Sequence, residues 1–339
     1  MKRPTIADVA RRAGVTKAAV SFALNNQPGV SAATRERILA IAAEVGFQPS
    51  SAARALSGGR AQAFGLVIDR PGRLLGIEPY FMQLISGIQA ELSGQHLALL
   101  FTLAEDHDAE IMLHRGWWAQ RRVDGVFLVD LQVDDPRVPA LERLGMPAFA
   151  IGARQAAGSL PAISLNVRAA AETAITHLTG LGHQRIGRVT GLPHYWHTRH
   201  RADTLTKVGA PLGIEVVTVE ADYSGESGAR ATRDLLNQPA PPTAILYDND
   251  VMAVAGLGEA QRQGVRVPAE LSLLAWDDST LCELVHPALT ALRHDVAGVG
   301  AQAARCLTQL TCGGPAEGFT EPAPTLMARA STAPVRSPG

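Results

Sequence analysis

Three apolar runs in this 339-residue chain end on acids or amides. FGLVID closes on Asp69, TAILYDND on Asp248, Asn249 and Asp250, and LSLLAWDD on Asp277 and Asp278. Ligands in an open α/β sheet sit beyond the carboxyl ends of buried strands, so groups placed there meet a small molecule. Carboxylates and amides at that point exchange hydrogen bonds with hydroxyls, which is binding chemistry. The segment HYWHTRH sets His194, His197 and His200 at three-residue spacing, but it holds no carboxylate to complete a metal site. No metal and no cofactor is therefore expected. G-x-S-x-G, P-loop and G-x-G-x-x-G patterns are absent, so no catalytic residue is assigned and an enzyme is not expected.

Those acids need elements to hold them. From residue 64 the pattern alternates: strand FGLVID, helix EPYFMQLISGIQAEL, strand LALLFTLA, an amphipathic stretch over 111–120, strand GVFLVDL. MPAFAIG, ISLN, RIGRVTG, IEVVTVE, TAILYDND and LSLLAWDD continue in the same style. Buried parallel strands alternating with helices predict doubly wound α/β sheets. Two such sheets make two lobes with a cleft, the usual place for a small ligand. Trp117 and Trp118 are adjacent, so both cannot face one core, and neither is given a role.

Ahead of that body lies a different pattern. Thr5 is a good cap for a helix carrying Ile6, Val9, Ala10 and Ala13. Gly14 supplies the positive φ of a tight turn. Thr16 caps a second helix whose inward residues are Ala19, Val20, Ala23 and Leu24. Ser31 caps a third over 34–45, stopped by Gly46, with Ile38, Ile41, Ala42 and Val45 closing a three-helix core. This is a helix-turn-helix arrangement, which presents its second helix to the DNA major groove.

Charge agrees with that division. The chain carries a net −1, but residues 1–60 hold nine Lys and Arg against three acids, a net +6, leaving −7 on the rest. A basic module on an acidic body suits a protein that touches a polyanion at one end. No apolar run reaches the roughly 18 residues of a membrane helix, and no apolar stretch follows MKRPTIADVARR, so no signal peptide or membrane partner is expected. Cys282, Cys306 and Cys312 lack metal spacing and are odd in number, which reads as reduced thiols in a cytoplasm.

The stretches TIADVARRAGVTKAAVS, NNQPGVSAATRERI and PSSAARALSGG resemble the lactose/galactose repressor (LacI/GalR) family of bacterial transcription regulators. The likeness continues through GLGHQRIGRVTG, YDNDVMAVAGLGEAQRQGVRVPAELSLLAWDDS, HPALTALRHD and LMARASTAP, and so covers nearly the whole chain. It implies an N-terminal all-α helix-turn-helix module at 1–48 and a hinge helix at 49–60. A periplasmic-binding-protein-like core follows at 61–339, with one lobe about 61–161 and 293–323 and the other about 162–292 and 324–335. The chain would cross between lobes near 162, 292 and 324.

By the same resemblance, Lys17, Ala18 and Phe22 occupy the base-reading positions. Lys17 can donate to guanine acceptors, whereas Ala18 and Phe22 offer apolar contact to thymine methyl groups. Arg11, Arg12, Ser21, Ser31 and Arg35 would grip phosphates and set register. Thr5, Thr16, Asn25, Ser50 and Ala53 complete the implied DNA-binding set. Leu56 would wedge between base steps from a hinge helix that folds only on DNA, since so short a helix is unstable alone.

For the core, the resemblance places Asp69, Tyr80 and Phe81 on one side of the cleft. His197, Arg201, Tyr223, Asn249, Asp277 and His294 fall on the other side or at the crossover. Thr204 stands where the family usually has glycine. These types suit a polyol: Arg201 spans two oxygens, carboxylates and Asn meet paired hydroxyls, and the three aromatic rings stack on a pyranose.

The implied protein is a cytoplasmic homodimer binding a palindromic double-stranded DNA operator and responding to a small molecule, a carbohydrate by preference. A nucleobase or sugar phosphate is the alternative effector. The competing class is a stand-alone carbohydrate-binding protein or sugar enzyme on the same fold, from which the basic N-terminal module distinguishes this chain.

Overall fold

A computed structural model describes residues 4–25, 27–47, 60–70, 72–315 and 318–335. The implied hinge, with Ser50, Ala53 and Leu56, lies outside the described residues. Two compact units emerge, residues 1–63 with 116–124, and residues 64–115 with 125–339. Among the described residues no helix is long and apolar enough to cross a membrane. None of the three cysteines forms a disulfide.

The first unit carries three helices, α1 (Ile6–Ala13), α2 (Lys17–Leu24) and α3 (Ala32–Glu44). Each starts where its cap chemistry dictates. The Thr5 backbone N–H donates to the Asp8 carboxylate at 2.9 Å, and Thr16 and Ser31 accept from the backbone N–H of Ala19 (3.1 Å) and Thr34 (3.3 Å). Gly14 takes φ +64°, which ends α1 and turns the chain into α2. Val9, Ala10, Ala13, Val20, Ala23, Ile38 and Ala42 form the core, with Leu24, Ile41 and Val45 packed against it. Ala19 is only half-buried, so α2 turns a narrower face inward than its sequence predicts. In the same unit the Asp124 carboxylate accepts from the backbone N–H of Ala61 and Gln62 at 2.7 and 2.8 Å. Trp117 is buried and Trp118 half-buried, as adjacent positions on one helix require.

The second unit contains two six-stranded sheets. The N-lobe is built from β1 (Ala63–Ile68), α4 (Gly72–Leu75), α5 (Pro79–Gly94), β2 (Ala98–Leu103), α6 (His107–Ala119), β3 (Gly125–Leu128), α7 (Arg137–Leu144), β4 (Ala148–Gly152) and β5 (Ala162–Ser164). The chain then crosses to the C-lobe: α8 (Val167–Gly180), β6 (Arg185–Thr190), α9 (Trp196–Gly209), β7 (Glu215–Glu220), α10 (Gly225–Leu236), β8 (Ala244–Tyr247), α11 (Asp250–Arg262), β9 (Ser272–Ala275), α12 (Thr280–Leu284) and β10 (Thr290–Arg293). It returns for α13 (Val296–Thr311) and β11 (Phe319–Thr320), and crosses again for β12 (Thr325–Met327).

Strand orders are β11-β5-β4-β3-β1-β2 and β12-β10-β9-β8-β6-β7. The pairings β1–β3, β3–β4, β4–β5, β5–β11, β6–β7, β6–β8, β8–β9 and β9–β10 are parallel, whereas β12 runs antiparallel to β10. β11 runs parallel to β5, so the chain leaves the N-lobe at the carboxyl ends of its strands, and β12 enters the second sheet against the direction of β10. The two-lobed, doubly wound architecture is otherwise the expected one. In the N-lobe, Phe64, Leu66, Ile68, Phe127 and Phe149 pack under α5 and α13. Those helices meet backbone to backbone: a Cβ on Gly87 would fall 1.9 Å from the Ala297 carbonyl oxygen, and one on Gly300 2.3 Å from that of Leu84.

Candidate functional site

On the first unit, local capping absorbs many of the polar side chains near α2. Thr16 caps the helix, and the Asn25 amide donates to the Ser21 carbonyl at 3.0 Å. Arg35 donates to the carbonyls of Gln27 (2.7 Å) and Ala23 (3.4 Å), tying α3 to the end of α2. Arg11 pairs with Asp8 at 3.0 Å and Arg12 with Glu44 at 3.1 Å, all of them exposed. What α2 leaves facing solvent is Lys17, Ala18 and Phe22. Phe22 is 39% exposed and its ring leans on Gly29, where an added Cβ would come within 3.3 Å. Lys17, Ala18 and Phe22 therefore form one small exposed face, cationic at one end and apolar at the other.

In the second unit, a cleft between the lobes is lined by Tyr80, Phe81, His197, Arg201, Tyr223 and Asp277 from the expected set. The N-lobe adds Arg70, Glu78 and Asp130, and the C-lobe adds Asp248. Phe81 serves both the N-lobe core and the cleft wall, with Tyr80 edge-on to it at 5.4 Å.

Tyr223 takes φ +69°, and its ring fits only because residue 191 is glycine; a Cβ there would sit 1.8 Å from the Tyr223 Cζ. The Tyr223 hydroxyl meets His197 Nε2 at 2.6 Å and Thr198 Oγ1 at 3.0 Å. Burial pushes His197 down to about 3, so its ring is neutral at physiological pH. Arg201 donates to the Asp248 backbone carbonyl at 2.9 Å and lies 4.6 Å over Trp276, while its Nε is buried without a partner. The Asp248 carboxylate is held more closely by Arg188, at 2.9 and 2.7 Å, than by Arg201, whose Nη1 is 3.9 Å away.

Two carboxyls on the wall are raised by burial: Asp277 to about 6 and Glu78 to about 7, the latter with Oε2 unpartnered. Arg70 meets Asp130 through Nε at 3.0 Å. Burial is the largest influence on Asp130 and opposes its ionisation, but the charge and hydrogen bond of Arg70, together with the other cationic groups around it, hold the carboxyl below its usual range. Behind it, the fully buried Arg137 donates to the carbonyls of Val129 and Asp130, both at 3.0 Å, and pairs with Glu110 and Asp135. That brace fixes the loop after β3.

Three expected residues stand elsewhere. Asn249 is buried and caps α11, accepting from Met252 N–H at 2.9 Å and donating to the Tyr223 carbonyl at 3.1 Å, so it supports the wall from behind. Asp69 is not among the residues that line the cleft; its carboxylate lies 3.7 Å from His107, while the next residue, Arg70, is on the wall. His294 pairs with Glu321 at 2.7 Å and lines an adjoining small cavity with Tyr80, Arg201 and Asp277. Asp130 closes GVFLVD just as Asp69 closes FGLVID, a signal the strand-end argument could have used. Arg188 sits mid-strand in RIGRVTG and had no such mark. No cluster of metal-ligating side chains exists among the described residues.

Comparison with known proteins places these surfaces in context. Residues 5–50 match the family described as bacterial regulatory proteins, lacI family, and residues 175–332 match the periplasmic binding protein-like domain. The HTH-type transcriptional regulator MalR of Streptomyces coelicolor is 31% identical over 92% of this chain and 91% of its own. Among solved structures, the lac repressor dimer bound to operator and the anti-inducer ONPF superposes with a TM-score of 0.85, at 26% identity over 98% of this chain and all of that one. The transcriptional regulator CelR in complex with cellobiose does so with 0.73, at 26% identity over 97% and 100%.

Proposed function

The chain belongs to the lacI family of bacterial regulatory proteins and is a transcriptional regulator; from that premise we propose that it is a cytoplasmic repressor that binds a palindromic operator as a homodimer and senses a neutral polyol in the interlobe cleft. The observation that carries the effector half is the balance of charge on the cleft wall. Both arginines that line it already face carboxylates: Arg70 faces Asp130, and Arg201 lies in the field of Asp248 and Asp277. A phosphate would meet Glu78 and Asp277 with no uncompensated cation, whereas hydroxyls both donate to carboxylates and accept from guanidinium N–H groups. Tyr80, Phe81 and Tyr223 supply the ring faces against which a sugar stacks. A neutral sugar is favoured over a sugar phosphate on that ground, and cellobiose, the ligand of the CelR complex, heads the probes.

The DNA half rests on the exposed face of α2. Lys17 reads guanine edges there, Ala18 and Phe22 meet thymine methyls, and Leu56 enters the minor groove from the hinge. Bound effector changes the spacing of the two hinges in the dimer and so the operator affinity, and by reciprocity operator changes effector affinity.

A thermal-shift screen of the full chain tests the effector half, using neutral mono- and disaccharides, sugar phosphates and purines. A ligand at about a hundred times its Kd adds roughly 2.7 kcal/mol. Hits among neutral sugars support the reading, and hits confined to phosphates or purines refute it. Selection of bound sites from random duplex DNA tests the other half. Two-fold symmetric sites are expected, and asymmetric sites bound by one chain would defeat the palindrome.

A further inference from the structure

The middle of the cleft is occupied by a side chain of the protein itself. Arg70 follows β1 on the N-lobe and is 5% exposed. Its guanidinium carbon lies 4.8 Å from the ring centre of Tyr195 and 4.6 Å from that of Tyr223, both on the C-lobe, and 5.7 Å from Phe81 on its own lobe. Nε and one Nη meet a single oxygen of Asp130, at 3.0 and 2.9 Å. The remaining nitrogen, Nη1, is buried without a partner. A guanidinium desolvated among ring faces and one carboxylate is bound by the means proteins use for organic cations. Asp130 and Tyr223 reach it from the left-handed backbone region, φ +50° and +69°. Non-glycine residues stay there only where their surroundings over-determine them.

We propose that Phe81, Asp130, Tyr195 and Tyr223 form a site for a planar organic cation, which the chain fills with its own Arg70, stapling the two lobes together when no small ligand is bound. Backbone pairing reinforces the same point: Trp196 N–H donates to the Leu131 carbonyl at 2.8 Å, and Gln132 and Tyr195 form an isolated antiparallel bridge. The cage stands without any assumption about the effector. Only its consequence rests on the cleft being the effector site: a ligand that stacks on Tyr223 has first to move Arg70.

Arg70→Ala empties the site, and the test needs no sugar. Wild-type and variant full-length chains are melted with and without millimolar methylguanidinium, against sodium at equal ionic strength. The variant is expected to melt several degrees lower, to regain part of that loss with methylguanidinium, and to ignore sodium, while the wild type responds to neither. A variant that melts like the wild type, or that methylguanidinium does not raise, overturns the proposal. If Arg70→Ala does not fold, a double-mutant cycle of Arg70→Gln and Tyr195→Leu in urea takes its place. Coupling of about fivefold or more in the unfolding constant is expected across the lobes, and additive effects overturn the staple.

Discussion

The exposed face of α2 and the wall of the cleft use polar groups in opposite ways. On α2 the capping residues Thr16 and Asn25 satisfy the backbone, and Lys17, Ala18 and Phe22 project outward with no structural task beyond the contact of Phe22 with Gly29. In the cleft most polar groups are buried and tied to one another, Arg70 to Asp130, Tyr223 to His197 and Thr198, and Arg188 and Arg201 to Asp248, while single atoms of Arg70, Glu78, Arg188, Arg201 and His294 are left without a partner. A surface that reads DNA from outside can therefore change its side chains without disturbing the fold. A wall that also holds the lobes together cannot, because each group removed strands its partner away from water.

Removing Arg188 sets the contrast at its widest. Arg188→Met leaves the fully buried Asp248 with only Arg201, 3.9 Å away, in place of its close bidentate partner, and a loss of about 3–5 kcal/mol is expected in urea unfolding. A loss below about 1 kcal/mol would show that the C-lobe does not depend on this pair.

Glu78 gives the next effect, and its sign is fixed by linkage. Its carboxyl ionises near 4.5 when unfolded but only near 7 when buried. Stability from this group therefore falls as pH rises from 4.5 to 7, by about 3 kcal/mol at 1.36 kcal/mol per pH unit. Glu78→Gln should gain on the wild type at pH 8 relative to pH 5, read from urea midpoints. An identical difference at both pH values contradicts the assignment.

Lys17→Ala tests the other side of the comparison. Fluorescence anisotropy on the selected operator should lose about 1–3 kcal/mol, with the melting temperature unmoved. A drop in melting temperature as large as the drop in affinity would make Lys17 structural and blur the distinction. Smallest is Thr16→Ala, which removes an N-cap and costs about 1 kcal/mol of stability. A fall in operator affinity larger than that loss of stability accounts for would show that Thr16 also touches DNA, as the family resemblance implies.

Elements with short-range causes were legible in the chain. The caps at Thr5, Thr16 and Ser31, the turn at Gly14 and the alternation of buried strands with helices are each decided within a few residues. Six cleft-lining residues were reached through family resemblance. The other cleft features were not legible, because each depends on residues far apart. Asn249 reads as a ligand group but caps α11, and Asp69 reads as a wall residue but lies against His107 while its neighbour Arg70 lines the wall.

The sequence alone determined that the chain has a basic helical module and a two-lobed α/β body, since capping, periodicity and charge act locally or by sum. Only the tertiary structure decided that Asp248 is held closely by Arg188 and more loosely by Arg201, and that Arg70 crosses the cleft to Tyr195 and Tyr223. Which cation meets which carboxylate or ring depends on distances set by the packing of both sheets. Desolvation then makes those few distances weigh more than any local preference.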